Sequence, residues 1–139
     1  MTTTITLNQA IDRHGVDVLD HLDRQASIPV ISRIGRQGDV LIAAKPRGKS
    51  ATTPLPRDGF PAVRGEAGGN THLLLGDGNV FYDPRAASAA DLDLGVLTVA
   101  DDSTAYLAHP EHGYLGIAPG TYSLRRQREQ ADELRMVAD

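Results

Sequence analysis

Three of the chain's five histidines lie in two short segments whose residue types suit metal binding. The segment 109–112, His-Pro-Glu-His, closes an apolar, strand-like stretch, and His72 follows the glycine-rich segment 65–70. Two imidazoles three residues apart in a loop at a strand end can converge on one ion, and the proline between them restricts the conformations that binding would have to remove. Neutral imidazoles with a carboxylate suit Zn, Ni, Cu or Fe(II), because nitrogen ligands dominate such sites.

We therefore predict a transition-metal site with five candidate ligands: His72, His109, His112, Glu66 and Glu111. An open coordination position could activate water, but the sequence leaves open whether any reaction is catalysed. An alternative interpretation is that the three histidines hydrogen-bond loop carbonyls. A hydrolase in which Glu66 and Glu111 act as acid and base is a further alternative, which nothing in their spacing supports beyond their presence.

Other chemistries lack their sequence signals. The chain has no cysteine, which excludes disulfides, thiolate metal sites and cysteine nucleophiles. No Gly-x-Ser-x-Gly, Walker-type loop or dinucleotide fingerprint occurs. The segment 76–79, Gly-Asp-Gly-Asn, lacks the downstream ligands of a calcium loop. Because Asp-Gly favours the positive backbone angles of tight turns, this segment predicts a hairpin between the flanking apolar runs.

One helix and a series of short strands must position these residues. Residues 6–24 place Ile11, Val18, Leu19 and Leu22 at helical spacing, and Thr6 with Gln9 has the form of a capping box; the segment predicts one helix. After residue 27, short alternating runs separated by turn residues predict seven or eight strands.

These elements predict an all-β fold, a small sandwich or partly open barrel, with one N-terminal α-helix. We expect an N-terminal helical arm at 1–26, a β-domain at 27–126 and a charged C-terminal tail at 127–139. A length of 139 residues with 40% hydrophobic residues is sufficient for one hydrophobic core.

Composition argues against nucleic acid and membrane as partners. The net charge is −4, and the basic cluster 125–128 is followed at once by acidic residues. Aromatic residues make up only 4% of the chain and tryptophan is absent, so a base-stacking platform is not expected. No apolar run approaches the roughly 18 residues of a transmembrane helix, and the start lacks a signal-peptide pattern. We therefore predict a cytoplasmic protein, or a virion protein if phage-encoded.

Several segments together resemble a group of small uncharacterised bacterial and phage proteins. These segments are Arg36 to Ile42, Gly65-Glu66 to His72, His109 to Gly113, Ile117 to Tyr122 and Arg126 to Glu129. The group has a Gln-Gly-Asp-Val start, a Gly-Glu then Gly-His-x-His centre, and a His-x-Glu-His then Pro-Gly-x-Tyr end. The resemblance covers residues 36–139 and supports the location of the site, without implying an activity. Asn70 stands where the pattern has its first central histidine.

Two function hypotheses follow. The first is a small β-domain that binds a transition metal through His72, His109 and His112. The second is a non-enzymatic assembly module, such as a virion decoration or accessory subunit. In that hypothesis the detachable helix, the proline-rich loop 46–61 and the charged tail support contacts with an assembly partner. In both cases we predict a homo-oligomer, because several short strands create edges that can pair.

Overall fold

The fold consists of two five-stranded β-sheets and one short helix in a computed structural model, which describes residues 4–64, 71–85 and 93–126. The elements are α1 (Leu7–His14), β1 (Val30–Ile31), β2 (Ile34–Gln37), β3 (Val40–Ala44), β4 (Phe60–Val63), β5 (His72–Asp77), β6 (Val80–Pro84), β7 (Asp93–Val99), β8 (Thr104–His109), β9 (Gly113–Ile117) and β10 (Gly120–Arg126). Sheet I has the order β1-β9-β8-β5-β4 and sheet II the order β2-β3-β10-β7-β6. The prediction of an all-β sandwich with one N-terminal helix is confirmed.

The core lies between the inner faces of the two sheets. Ile42 and Leu97 of sheet II and Leu74 and Leu107 of sheet I are fully buried in one cluster. Removing each such side chain from water contributes about 1.5–3 kcal/mol, which is why alternate residues of these strands are apolar. Neighbouring strands are antiparallel except β1 and β9, which run parallel.

The turn at 76–79 forms as predicted, with Gly78 at a φ of +97°, but it does not make a hairpin. It connects β5 in sheet I to β6 in sheet II, and each strand pairs with other partners. The backbone N–H of Asn79 donates to Ser103 Oγ at 2.8 Å, which ties this turn to the one that precedes β8. The Asp-Gly pair determines a local reversal, whereas burial of two inner faces determines the strand partners, so the hairpin prediction was wrong.

The helix is shorter than the predicted range of 6–24. The capping box of Thr6 and Gln9 is present, but α1 ends at His14 because Gly15 adopts a left-handed conformation, with a φ of +77°. The chain then folds back, and the N–H of Leu7 donates to Ala26 O at 2.9 Å. We call residues 4–29 the N-terminal arm.

The arm covers the outer face of sheet I. Val18 is buried there, and Ile11 and Leu22 pack against the same cluster, although Val18 and Leu22 lie beyond the end of the helix. Leu19, predicted to share this face, is 46% exposed. The arm therefore buries most of the predicted apolar stripe without being helical throughout.

Candidate functional site

Neighbouring strands of sheet I bring two of the predicted ligands together. His72 is the first residue of β5 and His109 the last residue of β8. Leu73 pairs with Ala108 in the antiparallel register, so the two histidines lie one step further along the same pair of strands. Strand alternation places both on the inner face of the sheet, at one end of the sandwich.

His112 lies in the turn between β8 and β9 and completes a group of three imidazoles, which we call the histidine cluster. The ring centroids are 4.3 Å apart for His72 and His109, 4.6 Å for His109 and His112, and 6.1 Å for His72 and His112. His72 and His109 are buried and His112 is exposed. The structure thus places three of the five candidate ligands within one small volume.

Of the two predicted carboxylates, Glu111 is among the described residues and Glu66 is not. Glu111 is exposed in the β8–β9 turn, and its backbone N–H donates to His109 Nδ1 at 3.1 Å. In neutral His109 the ring proton is therefore on Nε2. Its Nε2 is then an N–H donor, and a ligand role for that atom would require this hydrogen bond to break.

Gln37, at the end of β2, fixes the orientation of His72. The buried amide group of Gln37 donates from Nε2 to Leu107 O at 2.9 Å and to Gly113 O at 3.0 Å. Both partners can only accept, so the Gln37 Oε1, 3.0 Å from His72 Nδ1, must be the acceptor there. His72 therefore carries its proton on Nδ1 and, when neutral, has a lone pair on Nε2. Metal-binding histidines are commonly held this way, by a hydrogen bond from the second ring nitrogen.

Asp39, in the β2–β3 turn, provides a carboxylate beside that lone pair. Its Oδ1 is 3.5 Å from His72 Nε2, and its Oδ2 accepts a hydrogen bond from Arg126 Nε at 2.8 Å. Two ligands about 2.0–2.1 Å from one tetrahedral ion are separated by about 3.4 Å. The Asp39 and His72 atoms are thus spaced as two ligands of a single ion would be.

Gly38 leaves space between two of the imidazoles. A Cβ atom added there would lie 3.3 Å from His72 Nε2 and 3.2 Å from His112 Nε2, so both nitrogens border the same small space. Gly38 also has a φ of +58°, which glycine adopts at little cost. A side chain at this position would enter the space between the two nitrogens.

The two buried imidazoles are neutral at pH 7. Burial lowers the pKa of His72 to about 4, with a further lowering by His109 and an opposing effect of Asp39. Burial also lowers the pKa of His109, followed by the charge of His112, whereas Glu111 raises it. Neutral imidazole is the form that binds metal. His72 can therefore bind through Nε2 without losing a proton, whereas His109 would first have to move its proton from Nε2 to Nδ1.

The candidate ligand atoms lie near one another but are not positioned to bind one ion together. Within the ranges 4–64, 71–85 and 93–126, no group of three or more His, Asp or Glu side chains is arranged so that it could hold a metal ion without side-chain movement. Closure around an ion requires side-chain rotation, for which the exposed His112 has room.

Sequence reasoning missed Gln37, Asp39 and Arg126. All three lie in segments that carry the resemblance, at Arg36 to Ile42 and Arg126 to Glu129, so a signal was present. Their chemistry could not be assigned from the sequence because they belong to sheet II, whereas the buried histidines belong to sheet I.

Residues 36–127 match the DUF8820 family, a domain of unknown function. The match includes the histidine cluster together with Gln37, Asp39 and Arg126. The whole N-terminal arm, residues 4–29, precedes the match. No curated protein and no solved structure matches the chain. Of the described residues, none form a helix that is long and apolar enough to cross a membrane.

Proposed function

We propose that this chain, which belongs to the DUF8820 family, binds a divalent transition-metal ion such as Zn²⁺ or Ni²⁺ at the histidine cluster. One observation carries the proposal: His72 is neutral, is oriented by Gln37, and directs the Nε2 lone pair at space shared with Asp39 and His112. A buried imidazole that served only as packing would not need a carboxylate and a second imidazole at its free nitrogen.

His72, His112 and Asp39 are the first candidates to hold the ion. The Asp39 carboxylate already accepts a hydrogen bond from Arg126. Metal binding would therefore either break this hydrogen bond or leave the carboxylate shared between Arg126 and the ion. His109 would either rotate to become a ligand or donate its Nε2 proton to an oxygen bound at the ion. A metal with three protein ligands retains a position for water or substrate and can polarise it.

The test is metal binding by protein purified without a histidine tag. Elemental analysis and calorimetric titration of chelator-treated protein with ZnCl₂ and NiCl₂ should show one ion per chain for at least one metal. His72→Ala should abolish this binding, and His21→Ala should leave it intact, because His21 is an exposed histidine of the arm. Metal-free protein that binds neither ion, or binding that survives His72→Ala, would overturn the proposal.

A second candidate function, an assembly module, has its own observation. Ile34 is 65% exposed on β2, which is an edge strand of sheet II. The opposite edge, β6, is covered by its own chain, since Leu55 N donates to Val80 O at 2.9 Å and Tyr82 N to Thr53 O at 2.8 Å. Exposed apolar edge strands favour pairing between chains.

We propose that two copies pair along β2 when the chain functions as an assembly module. Light scattering should then report a dimer or a larger closed oligomer, and Ile34→Lys should convert it to a monomer. A wild-type monomer at high concentration would contradict this candidate, whatever the result of the metal titration.

A further inference from the structure

The N-terminal arm contacts the segment 109–112, which carries two of the three clustered histidines. The backbone N–H of Leu19 donates to Pro110 O at 2.8 Å, and the Tyr114 hydroxyl donates to Val16 O at 2.7 Å. Pro110 lies inside the His109 to His112 segment, and Tyr114 follows it by two residues. The arm therefore braces this segment from the outer side of sheet I.

A cavity of about 170 Å³ lies between the arm and the start of β9. Its lining is mostly apolar and includes Leu7, Leu22, Ala26, Ile28, Pro29 and Tyr114. His112, a member of the histidine cluster, is also part of the cavity wall. The cavity adjoins the proposed metal site through this one side chain.

The size and lining of the cavity define what it could hold. An apolar cavity of about 150 Å³ in another protein holds benzene, so this one has room for a single ring or a short branched chain. Asp23 is the one acidic residue among those that line it, and it would repel a negatively charged group. The part of a ligand inside the cavity would thus be apolar and uncharged.

We propose that this cavity holds the apolar end of a small molecule whose other end carries oxygens that bind the metal beside His112. The ligand class is a compact aromatic or branched aliphatic acid or a related oxygen chelator. This inference rests on the proposed metal site. Most of the lining comes from arm residues that precede the DUF8820 match at 36–127, so the arm would set the ligand size that this chain accepts.

The test compares two zinc-binding probes that differ only in their apolar end, benzohydroxamate and acetohydroxamate. Calorimetry on the zinc-loaded full chain should show that benzohydroxamate binds about tenfold more tightly or better, because its phenyl ring is buried in the cavity. Ala26→Leu, which adds bulk to the cavity wall, should remove this preference without weakening acetohydroxamate. Ser50→Leu adds similar bulk at an exposed position that does not line the cavity and should preserve the preference.

The outcomes separate the two proposals. If zinc does not bind, the proposed function fails and the cavity inference fails with it. If zinc binds but the two hydroxamates bind equally, or neither binds, the metal site stands and the cavity inference is overturned. A preference that persists in Ala26→Leu with the same magnitude would also overturn it, because the ring would then lie elsewhere.

Discussion

The histidine cluster and the half-buried His14 of the arm are two histidine environments with different organisation. Burial lowers the pKa of His14 as it lowers that of His72. His14 packs against the rings of Tyr106 and Tyr114, at centroid distances of 5.2 and 6.3 Å. Its buried Nε2 atom has no hydrogen-bond partner among the described residues, whereas His72 has Gln37 on one nitrogen and Asp39 near the other.

The difference shows that burial and a lowered pKa do not by themselves indicate a site. His14 is surrounded by aromatic rings and serves to dock the arm on sheet I. Gln37 determines the tautomer of His72, and Asp39 lies beside its lone pair. Two features distinguish a candidate ligand from a packing residue. One is a hydrogen-bond partner that determines which ring nitrogen carries the proton, and the other is a second metal-binding group beside the free nitrogen.

After the loss of His72 itself, the largest effect is expected for Asp39→Asn. If Asp39 is a ligand, the loss of its charge should weaken zinc binding by more than about 100-fold, which exceeds the usual loss for an outer-shell group. Calorimetric titration measures this, with the exposed Asp20→Asn as a matched control. Unchanged affinity would mean that Asp39 serves only to pair with Arg126.

A smaller effect on affinity is expected for Gln37→Leu. His72 would lose the acceptor that fixes its tautomer, and zinc affinity should fall about 10- to 100-fold. The carbonyls of Leu107 and Gly113 would lose their donor, so the free energy of unfolding in urea should fall by about 1–3 kcal/mol. Gln25→Leu, at an exposed position, should change neither quantity. A loss of stability without a loss of zinc affinity would mean that Gln37 does not orient a metal ligand.

The metal-free protein should lose stability as the pH falls from about 6.5 toward 4. The pKa of His72 is near 4 in the folded chain and near 6.5 in the unfolded chain, so the unfolded state binds more protons between these values. Stability from this residue is fully present above pH 6.5 and is lost as the pH falls through that window. Urea unfolding at several pH values checks this, and a flat profile from pH 7 to 4 would contradict it.

The smallest effect is expected for His14→Phe, which should leave zinc affinity unchanged. Replacing an unpaired buried nitrogen with an apolar ring should leave stability at pH 7 unchanged or raise it by about 1 kcal/mol. Because the pKa of His14 is lowered on folding, the variant should also lose less stability than wild type below pH 6.5. Weaker zinc binding in this variant would mean that the two regions are not independent.

Much of the site could be predicted from the sequence, because turn residues mark where strands end. Glycine before His72 and proline after His109 indicated strand ends, and strand ends of one sheet meet at its rim. The positions of Gln37 and Asp39 depend on which strands face each other across the core, and local residue patterns do not determine that. The helix prediction erred beyond Gly15 for a related reason, since the apolar residues that follow are buried by an irregular chain that packs on sheet I.

The most direct test of the central claim is a zinc titration of metal-free protein followed by the ring ¹⁵N resonances of all five histidines. Before zinc is added, His72 should show a protonated Nδ1 and an unprotonated Nε2. Up to one equivalent, the Nε2 resonances of His72 and His112 should shift together, while those of His14 and His21 stay in place. If the His72 resonances are unchanged at one equivalent, or if His72 carries its proton on Nε2, the histidine cluster is not the metal site described here.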